Sequence, residues 1–133
     1  MSQKNVEILA TALPEAGAAD LEALFAILDE DVEWDYVGAF PEGAVTYHGP
    51  DGVREFLRQW SGGFDDFGAE AEETIDAGEQ VVVHLHQWGR GKESGAHVES
   101  RTWQVFRFRS GKIVHCRGYP TREEALEAAG LRE

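Results

Sequence analysis

The side chains that could carry chemistry fall on segments with the alternation of β-strands. Asp35 lies in the run Val32–Val37, His84 and His86 stand two residues apart in a later segment, and Gln104 lies in the next one. A carboxylate or an imidazole moves a proton when burial tunes its pKa, and an amide can donate a hydrogen bond to a carbonyl or an enolate. These four residues are therefore the candidates for proton-transfer chemistry.

The histidine pair also invites a metal-binding interpretation, because residues i and i+2 of a strand share a face. His97 and His115 lie elsewhere in the chain, and no third ligand stands at a suitable spacing. We therefore predict no metal and no cofactor. We interpret His84 and His86 as surface or interface residues, and a general base in a pocket is the alternative.

Cys116 is the single cysteine of the chain, so no internal disulfide can form and a reducing compartment is favoured. Its parity with Val114 and Gly118 points it inward, and no activating base accompanies it. We predict a buried small residue and not a nucleophile. The first residues lack a signal-peptide layout, and no apolar run approaches the roughly 20 residues of a membrane span. We expect a cytoplasmic protein with no membrane partner.

The charge of the chain argues against nucleic acid as a partner. The 133 residues hold 25 acidic side chains against 12 basic ones, for a net charge of -13. Phosphate binding needs a basic face, so we predict no nucleic-acid partner. Most of the acids lie within residues 1–80, and their field favours neutral or cationic ligands over anions.

Hydrophobic periodicity predicts the elements that position these side chains. Apolar residues at helical spacing predict three helices, over residues 5–13, 21–28 and 50–61, and Asp20 is the predicted N-cap of the second. Asp29–Asp31 is expected to turn the chain into a strand over residues 32–37, and a short strand is possible near Tyr47. The period then becomes that of β-strands, over Phe67–Asp76, Gln80–Arg90, Val98–Arg109 and Lys112–Tyr119.

The connections between these four strands are short, which predicts hairpins and an antiparallel meander. A capping box at Thr121–Glu124 and a stop at Gly130-Leu131 predict a short C-terminal helix. Helices and strands are segregated along the chain, which predicts an α+β domain with helices on one face of a sheet.

The order of elements, with its motifs, resembles the SnoaL-like branch of the nuclear transport factor 2-like superfamily. The residues that carry the resemblance are Asp31-Val32-Glu33-Trp34, Tyr47-His48-Gly49-Pro50-Asp51-Gly52-Val53, Gly89-Arg90-Gly91 with Ser94-Gly95, Val105–Val114 and Glu123–Leu131. The resemblance implies a single domain over residues 1–133 with a cystatin-like, cone-shaped half-barrel. In that fold, three helices cover the concave face of a curved antiparallel sheet above a pocket, and a short helix ends the chain. It also implies a homodimer through the convex sheet face.

The members of that superfamily include polyketide cyclases, ketosteroid isomerases, epoxide hydrolases, dehydratases and proteins that only bind, so the fold implies no single reaction. The isomerase-like members use a strand carboxylate, a protonated aspartic acid and a tyrosine of the first helix. Here Trp34 matches the position of the base, Gln104 matches the acid, and the first helix lacks a tyrosine. The hydrolase-like arrangement is also missing, because Arg101 opposes Gln104 in parity and no aspartates face it.

Strand parity predicts the pocket. If Gln104 points inward, so do Ser100, Thr102, Phe106 and Phe108, and we favour the face of Val81, Val83, Leu85 and Gln87 on the preceding strand. The predicted ligand-binding residues are Trp34, Tyr36, Phe56, Trp60, Leu85, Gln87, Ser100, Thr102, Gln104 and Cys116, and core packing is the alternative for the aromatic ones. We predict a domain that binds a small hydrophobic or aromatic molecule. The alternative is a cyclase, isomerase, dehydratase or hydrolase that acts by proton transfer.

Overall fold

A computed structural model describes residues 2–14, 20–36, 45–61 and 64–131. The chain begins with α1 (Ser2–Ala10) and α2 (Leu21–Ala26), followed by β1 (Leu28–Tyr36), β2 (Val45–His48) and α3 (Gly49–Ser61). Four long strands follow, β3 (Phe64–Ala77), β4 (Gln80–Gly91), β5 (His97–Arg109) and β6 (Lys112–Tyr119), and α4 (Arg122–Ala128) ends the sequence of elements. The strands form one sheet in the order β2-β1-β6-β5-β4-β3.

The α+β class is confirmed, with a curved, unclosed sheet of six strands. The predicted meander is antiparallel from β3 to β6, because short connections reverse the chain at each step. The sheet as a whole is mixed, which corrects the prediction of a purely antiparallel one. β1 joins β6 in parallel, since the chain passes through α3 and the meander before it returns to β1.

The start of β1 corrects a second prediction. Asp29–Asp31 does not turn the chain after a helix that reaches Leu28; helix α2 ends at Ala26, and the three acids lie within β1. The cause is a long-range pairing. The backbone N–H of Ile113 donates to the carbonyl of Ile27 at 2.7 Å, and Leu28 pairs with Ile113. A register shift between Leu28 and Glu33 accommodates the acids beside β6.

Helix caps follow the sequence prediction closely. Asp20 accepts a hydrogen bond from the backbone N–H of Ala23 at the start of α2, and Thr121 accepts one from that of Glu124 at the start of α4. At the end of α4, Gly130 has a φ of +82°, and the N–H of Leu131 donates to the carbonyl of Leu126. Among the described residues, each helix is too short or too polar to span a bilayer.

The two faces of the sheet carry separate apolar cores. The larger core joins α1, α2 and α3 to the face that we call the concave face, and it includes Leu9, Val53, Val81, Phe106 and Phe108. The smaller core lies on the opposite, convex face, where α4 packs; its buried members are Val82, Val105, Ala125, Leu126 and Ala129. Successive strand residues thus alternate between the cores, which fixes the direction of every side chain along β4 and β5.

Candidate functional site

The concave face changes character along β5, from packed core to open surface. Phe106 and Phe108 belong to the larger core beneath the helices, which confirms the predicted direction of this strand face. Towards the start of the strand, Gln104 and Thr102 are half-buried and Ser100 is exposed. The concave face is therefore buried at the Phe106–Phe108 end of β5 and exposed at the Ser100 end. The polar side chains of Thr102 and Gln104 lie at the boundary between the two parts.

Three polar side chains form a hydrogen-bonded group at this boundary, which we call the Gln104 cluster: Thr102, Gln104 and Cys116. The Nε2 atom of Gln104 donates to Oγ1 of Thr102 at 2.9 Å, and the Sγ atom of Cys116 donates to Oε1 of Gln104 at 3.4 Å. Gly118 is the strand partner of Gln104, and a Cβ there would lie 3.2 Å from Nε2. Because Gly118 has no side chain, the amide of Gln104 can lie against the sheet at this position.

Cys116 is a hydrogen-bond donor in this group. It is fully buried, as its strand parity predicted. Burial raises the pKa of its thiol well above the ordinary value, and the negative charge of Asp35 acts in the same direction. The thiol therefore stays protonated at neutral pH, which suits a donor and not a nucleophile.

Aromatic rings border the Gln104 cluster on the side of β1. Trp34 is the parallel strand partner of Cys116 and is 9% exposed. Its ring meets Phe56 of α3 at a centroid distance of 6.3 Å and Phe106 at 6.0 Å. Tyr47 lies 5.2 Å from Phe56 and was missed from the sequence, because only the pairing of β2 with β1 brings it beside Trp34. These rings form an apolar wall.

The wall continues on the side of β4. Leu85 is buried and pairs with Thr102, and Gln87 is half-buried and pairs with Ser100. Val81, Val83 and Leu85 all belong to the larger core, which confirms the face that we favoured for this strand. On β3 the partners of Leu85 and Gln87 are Ala71 and Ala69, which pack with the larger core and extend the apolar wall.

The titratable candidates Asp35, His84 and His86 lie on the other side of the sheet, which agrees with the interpretation of the two histidines as surface or interface residues and not with the alternative of a base in the pocket. Strand alternation turns Asp35 away from its buried neighbour Trp34. Oδ1 of Asp35 accepts from the hydroxyl of Thr46 at 2.6 Å, and Oδ2 lies 2.8 Å from Nε2 of His115. Partial burial opposes ionisation of Asp35, but the hydrogen bonds from Thr46 and His115 outweigh it and lower its pKa. Asp35 is therefore an ionised carboxylate that binds Thr46 and His115 on the convex face.

His84 and His86 also lie on the convex face, since they alternate with Val83 and Leu85 along β4. The ring of His84 stacks on Trp103 with a centroid distance of 4.1 Å and an interplanar angle of 7°. Nε2 of His86 lies 2.6 Å from Oε1 of Glu99. Neither imidazole contacts the Gln104 cluster, so the alternative of a general base in the pocket is wrong for both residues, and their interpretation as surface or interface residues agrees with these contacts.

Of the ten residues predicted to bind a ligand, the structure brings six together around the boundary: Trp34, Phe56, Leu85, Thr102, Gln104 and Cys116. Gln87 and Ser100 stand at the open end of the same face. The side chains of Tyr36 and Trp60 lie outside the described part of the chain.

Two clefts lined by described residues lie away from this boundary. One has a volume of about 390 Å³ and runs between Asn5 of α1 and the turn at Ser110. The other has a volume of about 530 Å³ and lies between Tyr119 and the residues Glu124 and Glu127 of α4. Neither cleft is lined by a residue of the predicted ligand-binding set.

A curved, unclosed sheet with helices on its concave face defines the class of the protein, which is the nuclear transport factor 2-like fold. The family model of the SnoaL-like domain matches residues 11–116. The chain therefore belongs to the SnoaL-like domain family. None of the curated proteins matches the sequence.

Solved structures share the fold at low sequence identity. A protein from a soil-derived mobile gene cassette is 17% identical, with 89% of each chain covered and a TM-score of 0.73. A nuclear transport factor 2-like protein of Burkholderia xenovorans is 26% identical, with 97% of each chain covered and a TM-score of 0.66. A protein of Catenulispora acidiphila with a ketosteroid isomerase-like fold is 15% identical over 99% of this chain and 96% of its own, with a TM-score of 0.66.

Proposed function

We propose that the concave face at the Gln104 cluster binds a small hydrophobic or aromatic molecule that carries at least one hydrogen-bonding group. The observation that carries this proposal is a hydrogen-bonded amide, hydroxyl and thiol set into an otherwise apolar wall. Ligand sites in proteins have this composition, with apolar walls for affinity and a few placed polar groups for orientation.

The hydrogen bonds of Gln104 support a recognition role for its amide. A glutamine side chain offers two N–H donors and a carbonyl oxygen with two lone pairs. The contacts to Thr102 and Cys116 engage one donor and one lone pair. No other described residue engages the second donor or the second lone pair, so a ligand carbonyl or hydroxyl can use them. The two contacts also hold the amide in one orientation, which reduces the entropy lost on binding.

Charge supports a neutral or cationic ligand. The chain has a net charge of -13, so its overall field repels anions. Near the Gln104 cluster, the described wall residues Trp34, Phe56 and Leu85 are uncharged. We propose an uncharged aromatic or alicyclic molecule as the best fit to this lining.

The alternative, an enzyme that acts by proton transfer on a small hydrophobic substrate, has less support. No Asp, Glu or His is buried among the described residues. Gln104 cannot relay a proton, and burial raises the pKa of Cys116, so that its thiol does not ionise near neutral pH. The described residues thus offer no buried carboxylate or imidazole as the general base of such a reaction, which makes binding the function that we favour.

The same proposal includes a cytoplasmic location and a homodimer through the convex sheet face. The lone, fully buried thiol of Cys116 suits a reducing compartment. Trp103 supports the dimer, since this large aromatic side chain on the convex face is only half-buried. Light scattering of the untagged protein tests the dimer, and a monomeric mass at micromolar concentration would contradict it.

A thermal-shift screen against neutral aromatic and polyketide-like compounds tests the binding function. We expect a subset to raise the melting temperature of the wild-type protein. The substitution Gln104→Leu should weaken binding of those compounds by roughly 10-fold, because a ligand polar group then faces an apolar side chain. The matched control is Gln80→Leu, which makes the same change on the convex face. Equal loss in both variants, or a flat response of the wild type, would refute the proposal.

A further inference from the structure

We propose that the convex face of the sheet holds a binding site for a divalent transition-metal ion, formed by His86, Glu70 and Glu72. One ligand atom from each of these three side chains lies within 4.8 Å of the other two. Zinc binds imidazole nitrogens and carboxylate oxygens at about 2.0–2.2 Å, so ligand atoms around one ion lie a little over 3 Å apart. A small movement of two side chains closes the remaining gap.

The strand pairing explains why these residues converge. Glu70 is the direct partner of His86 across the β3–β4 pair. Residue 72 lies at a β-bulge between Ala71 and Glu73, and the contact of its carboxylate with Arg101 places it on the same face. The carboxylates are each 33% exposed, so they can rotate without disturbing the core. His84 stands nearby as well, with its Nδ1 atom 3.9 Å from the Glu72 carboxylate.

The two ring nitrogens of His86 have different surroundings, and this difference points to a metal. Nε2 lies 2.6 Å from Oε1 of Glu99. Nδ1 is buried, has no hydrogen-bond partner among the described residues, and faces Oε1 of Glu70 at 3.7 Å. When Glu99 accepts the proton of Nε2, Nδ1 carries a lone pair directed at the two carboxylates. Metal-ligating histidines are held in this way by a carboxylate on their other nitrogen.

A cation would satisfy groups that are poorly matched without one. In the tautomer with the proton on Nε2, the buried lone pair of Nδ1 faces carboxylates without a donor, which costs free energy. Arg101 donates from Nε to the Glu72 carboxylate at 2.8 Å, so one of the two acids already has a cationic partner. A metal ion would replace that contact and would add Nδ1 of His86 and Glu70 as ligands.

The ligand set selects the class of metal. One imidazole with carboxylates suits Zn²⁺, Mn²⁺, Fe²⁺ or Co²⁺, whereas Ca²⁺ and Mg²⁺ prefer oxygen ligands alone. The prediction of no metal rested on the lack of a third ligand near the histidine pair. The carboxylates of β3 are more than ten residues away in sequence and reach His86 only through the sheet. The site lies on the opposite face from the Gln104 cluster and does not depend on it.

Isothermal titration of the untagged, metal-free protein with Zn²⁺ tests the proposal. We expect one equivalent to bind. His86→Asn and Glu70→Gln should each weaken Zn²⁺ binding by more than about 10-fold, because each removes or neutralises a ligand. The control is His48→Asn, which removes an exposed histidine beside Glu33 and should leave the affinity unchanged.

Co²⁺ gives a second readout, because its visible absorption reports coordination by the protein. Saturable absorption in the wild type that is lost in Glu70→Gln would support the site. Circular dichroism shows whether each variant is folded. If His86→Asn does not fold, Glu70→Gln tests the site alone, because the Glu70 side chain is half-exposed and its substitution should not disturb the core. Absence of saturable Zn²⁺ binding by the wild type, or unchanged affinity in the folded Glu70→Gln variant, would overturn the proposal.

Discussion

The thiol of Cys116 donates a hydrogen bond to the carbonyl oxygen of Gln104 across the β5–β6 pair, at 3.4 Å. This contact places a neutral, buried sulfur directly behind the amide that we propose as the recognition group. It also connects the amide to β6, whose residue Cys116 pairs on the other side with Trp34 of β1. The reactivity of the Cys116 thiol therefore shows whether the Gln104 cluster is intact.

Cys116 should be unreactive in the native protein. Burial raises the pKa of its thiol and blocks access of reagents, so labelling by a disulfide reagent at pH 8 should proceed only as fast as the protein opens. We expect about one thiol to react promptly in denaturant and very little in buffer. Labelling of the native protein at the rate of the denatured one would contradict the buried position of Cys116.

Asp35 should stabilise the fold at neutral pH and lose this effect in acid. Its pKa in the folded protein lies below the ordinary value of 3.8, so the ionised carboxylate favours the folded state above about pH 5. The contribution is lost as the pH falls through the lowered pKa, because both states then bind the proton. Urea unfolding at pH 7 and pH 3 should show a larger loss of stability for the wild type than for Asp35→Asn.

The exposed carboxylate of Glu33, two residues earlier on β1, offers the matched control for this experiment. Glu33→Gln should leave the difference in unfolding free energy between pH 7 and pH 3 close to that of the wild type. An Asp35→Asn variant with the same acid dependence as the wild type would show that the contacts to Thr46 and His115 add no stability.

Phe106 should be among the residues that stabilise the larger core most. It is 1% exposed and touches the ring of Trp34. Truncation to Ala should lower the free energy of unfolding by about 3–5 kcal/mol, because the cavity cannot fully collapse. Arg109→Ala, an exposed change on the same strand, should shift it by less than about 0.5 kcal/mol. A loss below about 1 kcal/mol for Phe106→Ala would contradict the packing beneath the helices.

Local signals in the sequence predicted much of the fold. The caps at Asp20 and Thr121 depend on one side chain and its own helix, and the direction of Gln104 depends on strand alternation alone. The errors came from pairings between distant segments. Only β6 draws Asp29–Asp31 into a strand, and only the β3–β4 register brings Glu70 to His86.

Only part of the candidate site could be predicted from the sequence. The polar residues of β5 could be assigned to one face without knowledge of their neighbours, because alternation has a period of two. Asp35 was ambiguous, since one residue of shift exchanges the faces of a strand. The structure removes that ambiguity through Trp34, whose large apolar ring occupies the concave face and turns the carboxylate outward.

Nuclear magnetic resonance titration offers the most direct test of ligand binding at the Gln104 cluster. A compound that stabilises the wild type is added to isotopically labelled protein, and the side-chain amide of Gln104 and the backbone amides of Thr102 and Cys116 are followed. We predict that these signals shift in a saturable manner, together with the indole signal of Trp34. Shifts confined to convex-face residues such as His84 and Trp103, with the Gln104 amide unmoved, would contradict binding on the concave face.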